Sequence, residues 1–117
     1  MTALKIDPRV ERAAHAAAEK KATELMALDL REAHSLIDFF LLASGQNQKQ
    51  LVAIADSIMD TLRAEGLRPL HVEGMPRQEW ILLDYGSFVV HIFTPRTRAF
   101  YDLERLWGGA RRVPMAV

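Results

Sequence analysis

The sequence predicts an α/β fold in which helices flank one mixed, five-stranded sheet, in the order αββαβββα. Three observations predict it. Apolar residues recur at helical spacing in three separate segments. Two apolar runs meet at Gly86-Ser87, which fits the two-residue turn of an antiparallel hairpin. A nearly continuous apolar segment at 36–43 leads through a helix to a further strand near residue 72, which indicates one parallel crossover.

The first part of the chain is predicted to hold one helix and two strands. Asp7 can cap a helix whose first position is Pro8, and that helix runs to about Lys21. A first strand is predicted at 24–30. The second strand covers 36–43, where both faces are apolar and are therefore expected to be buried.

A second helix and a third strand follow. Asn47 can cap the helix, with Gln50 as its capping-box partner, and Gly66 suits the position after its end. The segment 67–73 is predicted to be a strand. A loop at 74–78 separates it from the hairpin.

The last helix is predicted to run from its cap at Thr94 to Gly108. Threonine caps helices, Pro95 suits the first helical position, and glycine suits the position after the end. We expect residues 1–109 to form a single domain and residues 110–117 to form a flexible tail.

The hairpin decides which residues share a face. With Gly86 and Ser87 in the turn, Trp80 lies opposite Phe93, and side chains alternate across each strand. One face is predicted to be core, and it carries Ile81, Leu83, Tyr85, Phe88, Val90 and Ile92. The other face carries Trp80, Leu82, Val89 and Phe93, with Asp84 and His91 among them. A solvated face should be polar, so a second layer or a partner must cover part of this one.

Composition and charge exclude several functions. The chain has 117 residues with fifteen basic and fifteen acidic side chains, whereas proteins that grip nucleic acid usually carry a basic surplus. It has no cysteine, which excludes disulfides and thiolate metal sites. No apolar run approaches the length of a membrane span, and the first residues do not resemble a signal peptide. We expect a cytoplasmic protein whose main contact is neither nucleic acid nor membrane.

Two pairs of side chains are candidates for chemistry. Asp84 and His91 are diagonal neighbours across the hairpin, either as an acid–base dyad or as a structural hydrogen bond. The structural interpretation is favoured because no nucleophile is specified nearby. His71 and Glu73 share one strand face, but a metal site needs a third ligand. The sequence therefore predicts no catalytic, cofactor or metal site.

A resemblance to a known family extends from about Ala22 to Trp107. Its pieces follow one another in the family's order, and together they are specific although no single piece is. They are Asp38-Phe39-Phe40, Ala43-Ser44-Gly45, Ala53-Ile54-Ala55-Asp56, Glu73-Gly74, Trp80, Leu83-Asp84-Tyr85-Gly86, Val90-His91-Ile92-Phe93, Arg98 and Phe100-Tyr101-Asp102-Leu103-Glu104-Arg105-Leu106-Trp107. On these residues the chain resembles the ribosome silencing factor family, also called RsfS or Iojap.

The resemblance implies a nucleotidyltransferase-like fold that is usually a homodimer and does no known chemistry. It also implies a partner, the large ribosomal subunit, contacted through its fourteenth ribosomal protein on the face where the small subunit docks. Subunit joining would then be blocked, and translation would fall under nutrient limitation. The sequence is consistent with a protein that is not an enzyme. Nucleotidyltransferases need a Gly-Ser turn, whereas this chain has Ser44-Gly45, in the reverse order.

The second face of the hairpin is the predicted partner-binding surface. Its apolar area comes from Trp80, Leu82, Val89 and Phe93, its hydrogen bonds from Asp84 and His91, and its extension from Tyr101 and Glu104. Three alternatives stay open. Helices of the same chain cover this face, a second copy of the chain covers it, or the protein is a small nucleotide-handling enzyme that uses Asp84 and His91.

Overall fold

The computed structural model describes residues 6–33, 36–74 and 79–115. Within these ranges the chain forms four helices and six strands, so the predicted α/β class is confirmed. In chain order they are α1 (Pro8–Glu19), β1 (Thr23–Asp29), β2 (Phe39–Ser44), α2 (Gln48–Arg63), β3 (His71–Glu73), β4 (Trp80–Asp84), β5 (Phe88–Phe93), α3 (Pro95–Tyr101), α4 (Leu103–Leu106) and β6 (Arg111–Pro114). None of these described helices has both the length and the apolar character that crossing a membrane requires.

The strands form one mixed sheet in the order β3-β4-β5-β2-β1-β6. β2 and β5 are parallel, and the other neighbours are antiparallel. The predicted crossover from β2 through α2 leads to β3, which runs parallel to β2 but lies at the edge of the sheet. The hairpin of β4 and β5 lies between them, and β5 is therefore the strand that pairs with β2.

The prediction of five strands and a flexible tail is wrong at the other edge of the sheet. β6 lies within the predicted tail and pairs antiparallel with β1, so that Val113 is opposite Ala27. Its sequence has no alternating apolar pattern that would reveal a strand. β2 pairs with one edge of β1, and the other edge is free to form hydrogen bonds with β6. Val113 of β6 also packs against the main core. Residues 116–117 of the tail lie outside the described ranges.

The hairpin face predicted to be core is confirmed. All six of its residues are buried between the sheet and a layer formed by α1 and α2. Four buried alanines on α1 let this helix approach its neighbours closely. The hydroxyl of Ser57 on α2 donates a hydrogen bond to the carbonyl of Ala16 on α1 at 2.9 Å. This layer leaves the opposite face of the sheet to be covered by other elements.

The last predicted helix is broken in two. α3 begins at the Thr94 cap as predicted, but Asp102 adopts a left-handed φ of 47° and ends it. Asp102 also caps α4, because its carboxylate accepts a hydrogen bond from the Arg105 N–H at 3.3 Å. Aspartate is among the few residues that tolerate this backbone conformation. Helical spacing alone does not reveal such a break.

Replacing Gly74 by alanine is expected to push β3 away from β4. Gly74 has a φ of +95°, and a Cβ atom there would lie 2.0 Å from the carbonyl oxygen of Trp80. The left-handed φ costs about 1–2 kcal/mol, and a backbone clash costs a further ~1–3 kcal/mol. We expect the free energy of unfolding of Gly74→Ala, measured in urea, to fall by about 3 kcal/mol.

Gly66→Ala is the matched control for this variant. Gly66 has a similar φ of +84°, but nothing lies within 4 Å of a Cβ atom placed there. Only the backbone cost of about 1–2 kcal/mol applies at this position. Equal losses in the two variants would show that the close approach of residue 74 to Trp80 does not constrain the edge of the sheet.

Candidate functional site

The second face of the hairpin is divided into a sealed part and an open part. The predicted register is confirmed, with Trp80 opposite Phe93. Phe93, Val89 and His91 are buried, with exposed fractions of 0%, 4% and 5%. The residues that remain partly exposed are Trp80, Leu82 and Asp84. The chain's own elements therefore cover one part of this face, and the rest meets solvent.

A second apolar cluster forms the sealed part. Leu103 on α4 and Leu28 on β1 pack in it together with Val89 and Phe93. Of the predicted partner-binding residues, Val89, His91 and Phe93 therefore lie beneath the surface. They hold the side chains above them in place, and it is those side chains that a partner would meet.

Trp80 is the centre of the open part. Its indole N–H donates a hydrogen bond to Nδ1 of His91 at 3.1 Å. Its ring centroid lies 5.6 Å from that of Phe93 and 4.5 Å from that of Tyr101. Because the N–H is already bonded within the chain, Trp80 offers a partner its ring surface.

His91 is a neutral ring held in one tautomer. Burial lowers its pKa from 6.5 to about 4, so the ring is uncharged at neutral pH. The indole N–H of Trp80 is only a donor, so Nδ1 must accept and the proton lies on Nε2. Nε2 is buried and has no hydrogen-bond partner among the described residues. The Phe40 ring packs edge-on against the imidazole at 4.6 Å.

The predicted interaction between Asp84 and His91 is wrong in both of its forms. Oδ1 of Asp84 accepts a hydrogen bond from the Gly86 N–H at 2.8 Å and thereby closes the hairpin turn. His91 uses Trp80 instead, which lies on the other diagonal of the hairpin. Within the described residues, therefore, no carboxylate orients this imidazole for acid–base chemistry.

Glu73 belongs to the open part, although the sequence did not predict it there. β3 pairs with β4 so that Glu73 lies opposite Leu82 and His71 opposite Asp84. Glu73, Gly74, Trp80 and Leu82 line a cleft of about 330 Å³. The shared face of His71 and Glu73 was visible in the sequence, but their register against β4 was not. In the described part of the chain no group of three or more metal-binding side chains is found.

Tyr101 on α3 extends the open part of the face, because its ring lies against that of Trp80. The Tyr101 side chain is 50% exposed, and beside it Phe100 is 79% exposed. Helical spacing would place Phe100 on the same buried side as Leu103. The break at Asp102 changes the direction of the chain between them, so Leu103 is buried and Phe100 is not.

Glu104, the other predicted extension, is held from within. Its Oε2 accepts two hydrogen bonds from the Arg98 guanidinium, and its side chain is largely covered. Arg98 itself is buried and was not among the predicted site residues. Its place in the family resemblance was the only signal in the sequence that could have pointed to it.

We name five residues of the open part the hairpin patch: Glu73, Trp80, Leu82, Asp84 and Tyr101. His71, opposite Asp84, lies at its edge. The hairpin patch combines aromatic and aliphatic surface with two carboxylates, on a chain whose charges balance overall. Of the residues that the structure describes, no lysine or arginine lines its cleft. An apolar centre beside acidic groups fits a partner surface that is basic around an apolar spot.

A second cleft lies where the parallel strands β2 and β5 end, which is a common ligand-binding place in α/β sheets. Glu79 occupies the end of α3 that faces this cleft. Its carboxylate accepts hydrogen bonds from the hydroxyls of Thr94 and Thr97, both at 3.1 Å. These two bonds lower the pKa of Glu79. The chain's own carboxylate thus takes the position that a phosphate would need at this helix end.

The chain has clear relatives among known proteins. A family model described as "Ribosomal silencing factor during starvation" matches residues 3–116. The ribosomal silencing factor RsfS of Halalkalibacterium halodurans is 37% identical over 103 residues, which cover 88% of this chain and 88% of that protein. A Mus musculus protein named mitochondrial assembly of ribosomal large subunit protein 1 is 26% identical over 92 residues, which cover 76% of this chain and 40% of its own length. A solved structure from Chromobacterium violaceum has a TM-score of 0.84 and 32% identity, with 97% of this chain and 94% of that chain covered.

Proposed function

This chain belongs to the ribosomal silencing factor family, and from that membership we propose that it binds the large ribosomal subunit and represses translation when nutrients are short. The contact is made through the fourteenth ribosomal protein of that subunit. Bound there, the protein keeps the small subunit from joining. The observation that carries this proposal is the hairpin patch, an aromatic surface with acidic groups that the fold leaves open.

The chemistry of the hairpin patch fits a ribosomal protein as the partner. Trp80 and Leu82 supply apolar anchors, which commonly provide most of the affinity of an interface. Glu73 and Asp84 attract a basic surface, and ribosomal proteins are commonly basic because they bind RNA. Direct contact with RNA phosphates would need a basic surface on this chain instead. Protein-to-protein contact is therefore the proposed mode of binding.

Blocking the small subunit requires only volume at the right place. The molecule has principal extents of 38 × 34 × 25 Å and a radius of gyration of 13.0 Å. A body of this size on the joining face of the large subunit keeps the two subunits apart. No chemical step is needed, so the proposal includes no catalytic residue, cofactor or metal.

Two further parts of the proposal concern the state of the protein in the cell. We place it in the cytoplasm as a homodimer, with the nucleotidyltransferase-like fold of its family used as a scaffold. Phe100, whose ring contacts Tyr101, and Leu106 on α4 are both exposed and offer apolar area to a second copy. Analytical ultracentrifugation checks the dimer, and a monomer at micromolar concentration would contradict it.

The alternative of a nucleotide-handling enzyme has no contact in its favour among the described residues. Asp84 closes the hairpin turn, and His91 accepts from Trp80. The N-terminal end of α3, where a phosphate could bind, holds Glu79. Nucleotide turnover that is lost in His91→Ala would support this alternative.

Sedimentation with isolated ribosomal subunits tests the proposal. We expect the protein to migrate with large subunits and to reduce the fraction of joined particles when small subunits are added. Glu73→Lys reverses a charge on the hairpin patch and should weaken both effects. Glu11→Lys makes the same charge change on α1, which packs on the other side of the sheet, and should weaken neither. Wild-type protein that stays at the top of the gradient would contradict the proposal.

A further inference from the structure

Arg98 is a charged side chain buried between α3 and the sheet. Only 6% of it is exposed. Nη1 donates hydrogen bonds to the carbonyl of Glu24 at 2.7 Å and to the hydroxyl of Ser44 at 2.9 Å. Nε and Nη2 donate to the same carboxylate oxygen of Glu104 at 3.0 and 2.9 Å. The buried charge is thus paired and hydrogen-bonded, which offsets the cost of removing it from water.

Two residues beside this network of hydrogen bonds are in unusual backbone conformations. Glu24 lies at an irregularity in β1 and has a φ of 50°, and Asp102 between α3 and α4 has a φ of 47°. Non-glycine residues keep such angles only where their surroundings fix them. The guanidinium binds the carbonyl of Glu24, and the carbonyl of Arg98 accepts from the Asp102 N–H at 2.8 Å. The Asp102 bond is an ordinary backbone bond of the helix end and does not involve the guanidinium. The guanidinium holds Glu24 directly, and its two bonds to Glu104 bridge α3 and α4 across Asp102.

Arg98 also begins a stack that ends in the hairpin patch. Its guanidinium carbon lies 5.7 Å from the centroid of the Phe93 ring. That ring is 5.6 Å from Trp80, and Trp80 is 4.5 Å from Tyr101. Tyr101 is on α3 with Arg98 and directly precedes the break at Asp102. A shift of the turn between α3 and α4 would consequently move Tyr101 away from Trp80.

The geometry points to Arg98 as a positioning residue of the hairpin patch, with Glu104 as its ionic partner. Arg98 does not touch the ribosome. It holds the turn between α3 and α4 so that Trp80 and Tyr101 already form one continuous ring surface before binding. This inference rests on the proposed function, and it adds a buried residue on which affinity depends. A surface ordered in advance binds more tightly because less freedom is lost on association.

Arg98→Met tests this role, because it keeps the aliphatic stem and removes every hydrogen bond of the guanidinium. We expect its affinity for purified large ribosomal subunits to fall about ten-fold. Arg98→Lys keeps the charge but lacks the planar set of donors of a guanidinium. Its affinity should lie between that of the wild-type protein and that of Arg98→Met. In a Trp107→Phe background Trp80 is the only tryptophan, so acrylamide quenching of its fluorescence reports whether Tyr101 still covers it. We expect quenching to increase in Arg98→Met.

Ile58→Val is the control for a general loss of stability. Ile58 is fully buried on α2, on the other side of the sheet, so its truncation lowers the melting temperature without reaching the turn. If Arg98→Met binds as tightly as Ile58→Val and its quenching is unchanged, Arg98 is only a structural residue and the inference is wrong. If Arg98→Met does not fold, Glu104→Gln decides with the same two measurements. If wild-type protein does not bind large subunits, the proposed function fails, while quenching still tests the turn.

Discussion

Replacing Trp80 by alanine is expected to weaken binding to the large ribosomal subunit about 30-fold or more. Trp80 is the largest side chain of the hairpin patch, and truncation of a central aromatic anchor commonly costs ~2 kcal/mol or more. The free energy of unfolding should also fall by about 2 kcal/mol, less than for a fully buried tryptophan because the ring is partly exposed. Sedimentation with isolated large subunits measures the affinity, and urea titration measures the stability.

Two further variants separate affinity from stability. Val52 is half-buried against the main core on α2, so Val52→Ala should lower stability and leave binding unchanged. Trp80→Phe keeps a ring at the surface but removes the N–H that donates a hydrogen bond to His91. It should therefore lose less affinity than Trp80→Ala. A folded Trp80→Ala protein with wild-type affinity would contradict the assignment of the hairpin patch.

Stability is expected to fall by about 3 kcal/mol as the pH drops from neutral to the acidic range. Burial lowers the pKa of His91 from 6.5 to about 4, and that difference corresponds to about 3 kcal/mol. Below pH 6.5 the unfolded chain binds a proton at this residue and the native chain does not. Acidification therefore favours unfolding until the native ring also becomes protonated, near pH 4.

His91→Gln is expected to make stability less dependent on pH, because unfolding of this variant takes up nearly one proton less. The glutamine amide oxygen can still accept the Trp80 N–H, but it does not titrate. Asp7 and Asp29 have a lowered pKa because of hydrogen bonds from Arg9 and Arg31, so their contributions are lost at lower pH than that of His91. Urea titrations at about pH 7, 6, 5 and 4 give the slope of the free energy of unfolding against pH. A slope that is the same in both proteins would show that the buried ring does not govern it.

Local rules were sufficient for the part of the site that a single hairpin builds. A two-residue turn at Gly86-Ser87 leaves only one register, so both faces of the hairpin followed from the sequence. The helix starts at Asp7, Asn47 and Thr94 followed from the chemistry of their caps. The family resemblance, which used residues along most of the chain, is confirmed by the family model.

Contacts between distant segments could not be predicted in this way. Glu73 reaches the hairpin patch only because β3 pairs with β4 in one register, and no local pattern fixes it. β6 forms because β1 offers an open edge, which is a property of the sheet and not of residues 111–114.

The side-chain partners within the hairpin were also beyond sequence reasoning. Asp84 and Trp80 are both diagonal neighbours of His91, and the sequence alone does not tell which of them it meets. The Gly86 N–H binds the carboxylate, and the indole N–H is left to bind the imidazole. The sealing of Val89 depends in turn on Leu103, whose position follows from the break at Asp102.

The parallel pairing of β2 with β5 has a consequence for the order of folding. It joins residues 39–44 to residues 88–93, with a helix and two strands between them in the chain. Closing so long a segment costs chain entropy and slows the reaction, whereas the hairpin of β4 and β5 forms locally and early. In a newly made chain, both apolar faces of this hairpin are therefore exposed to solvent until β2 pairs with β5. That interval is when self-association competes with reaching the native state.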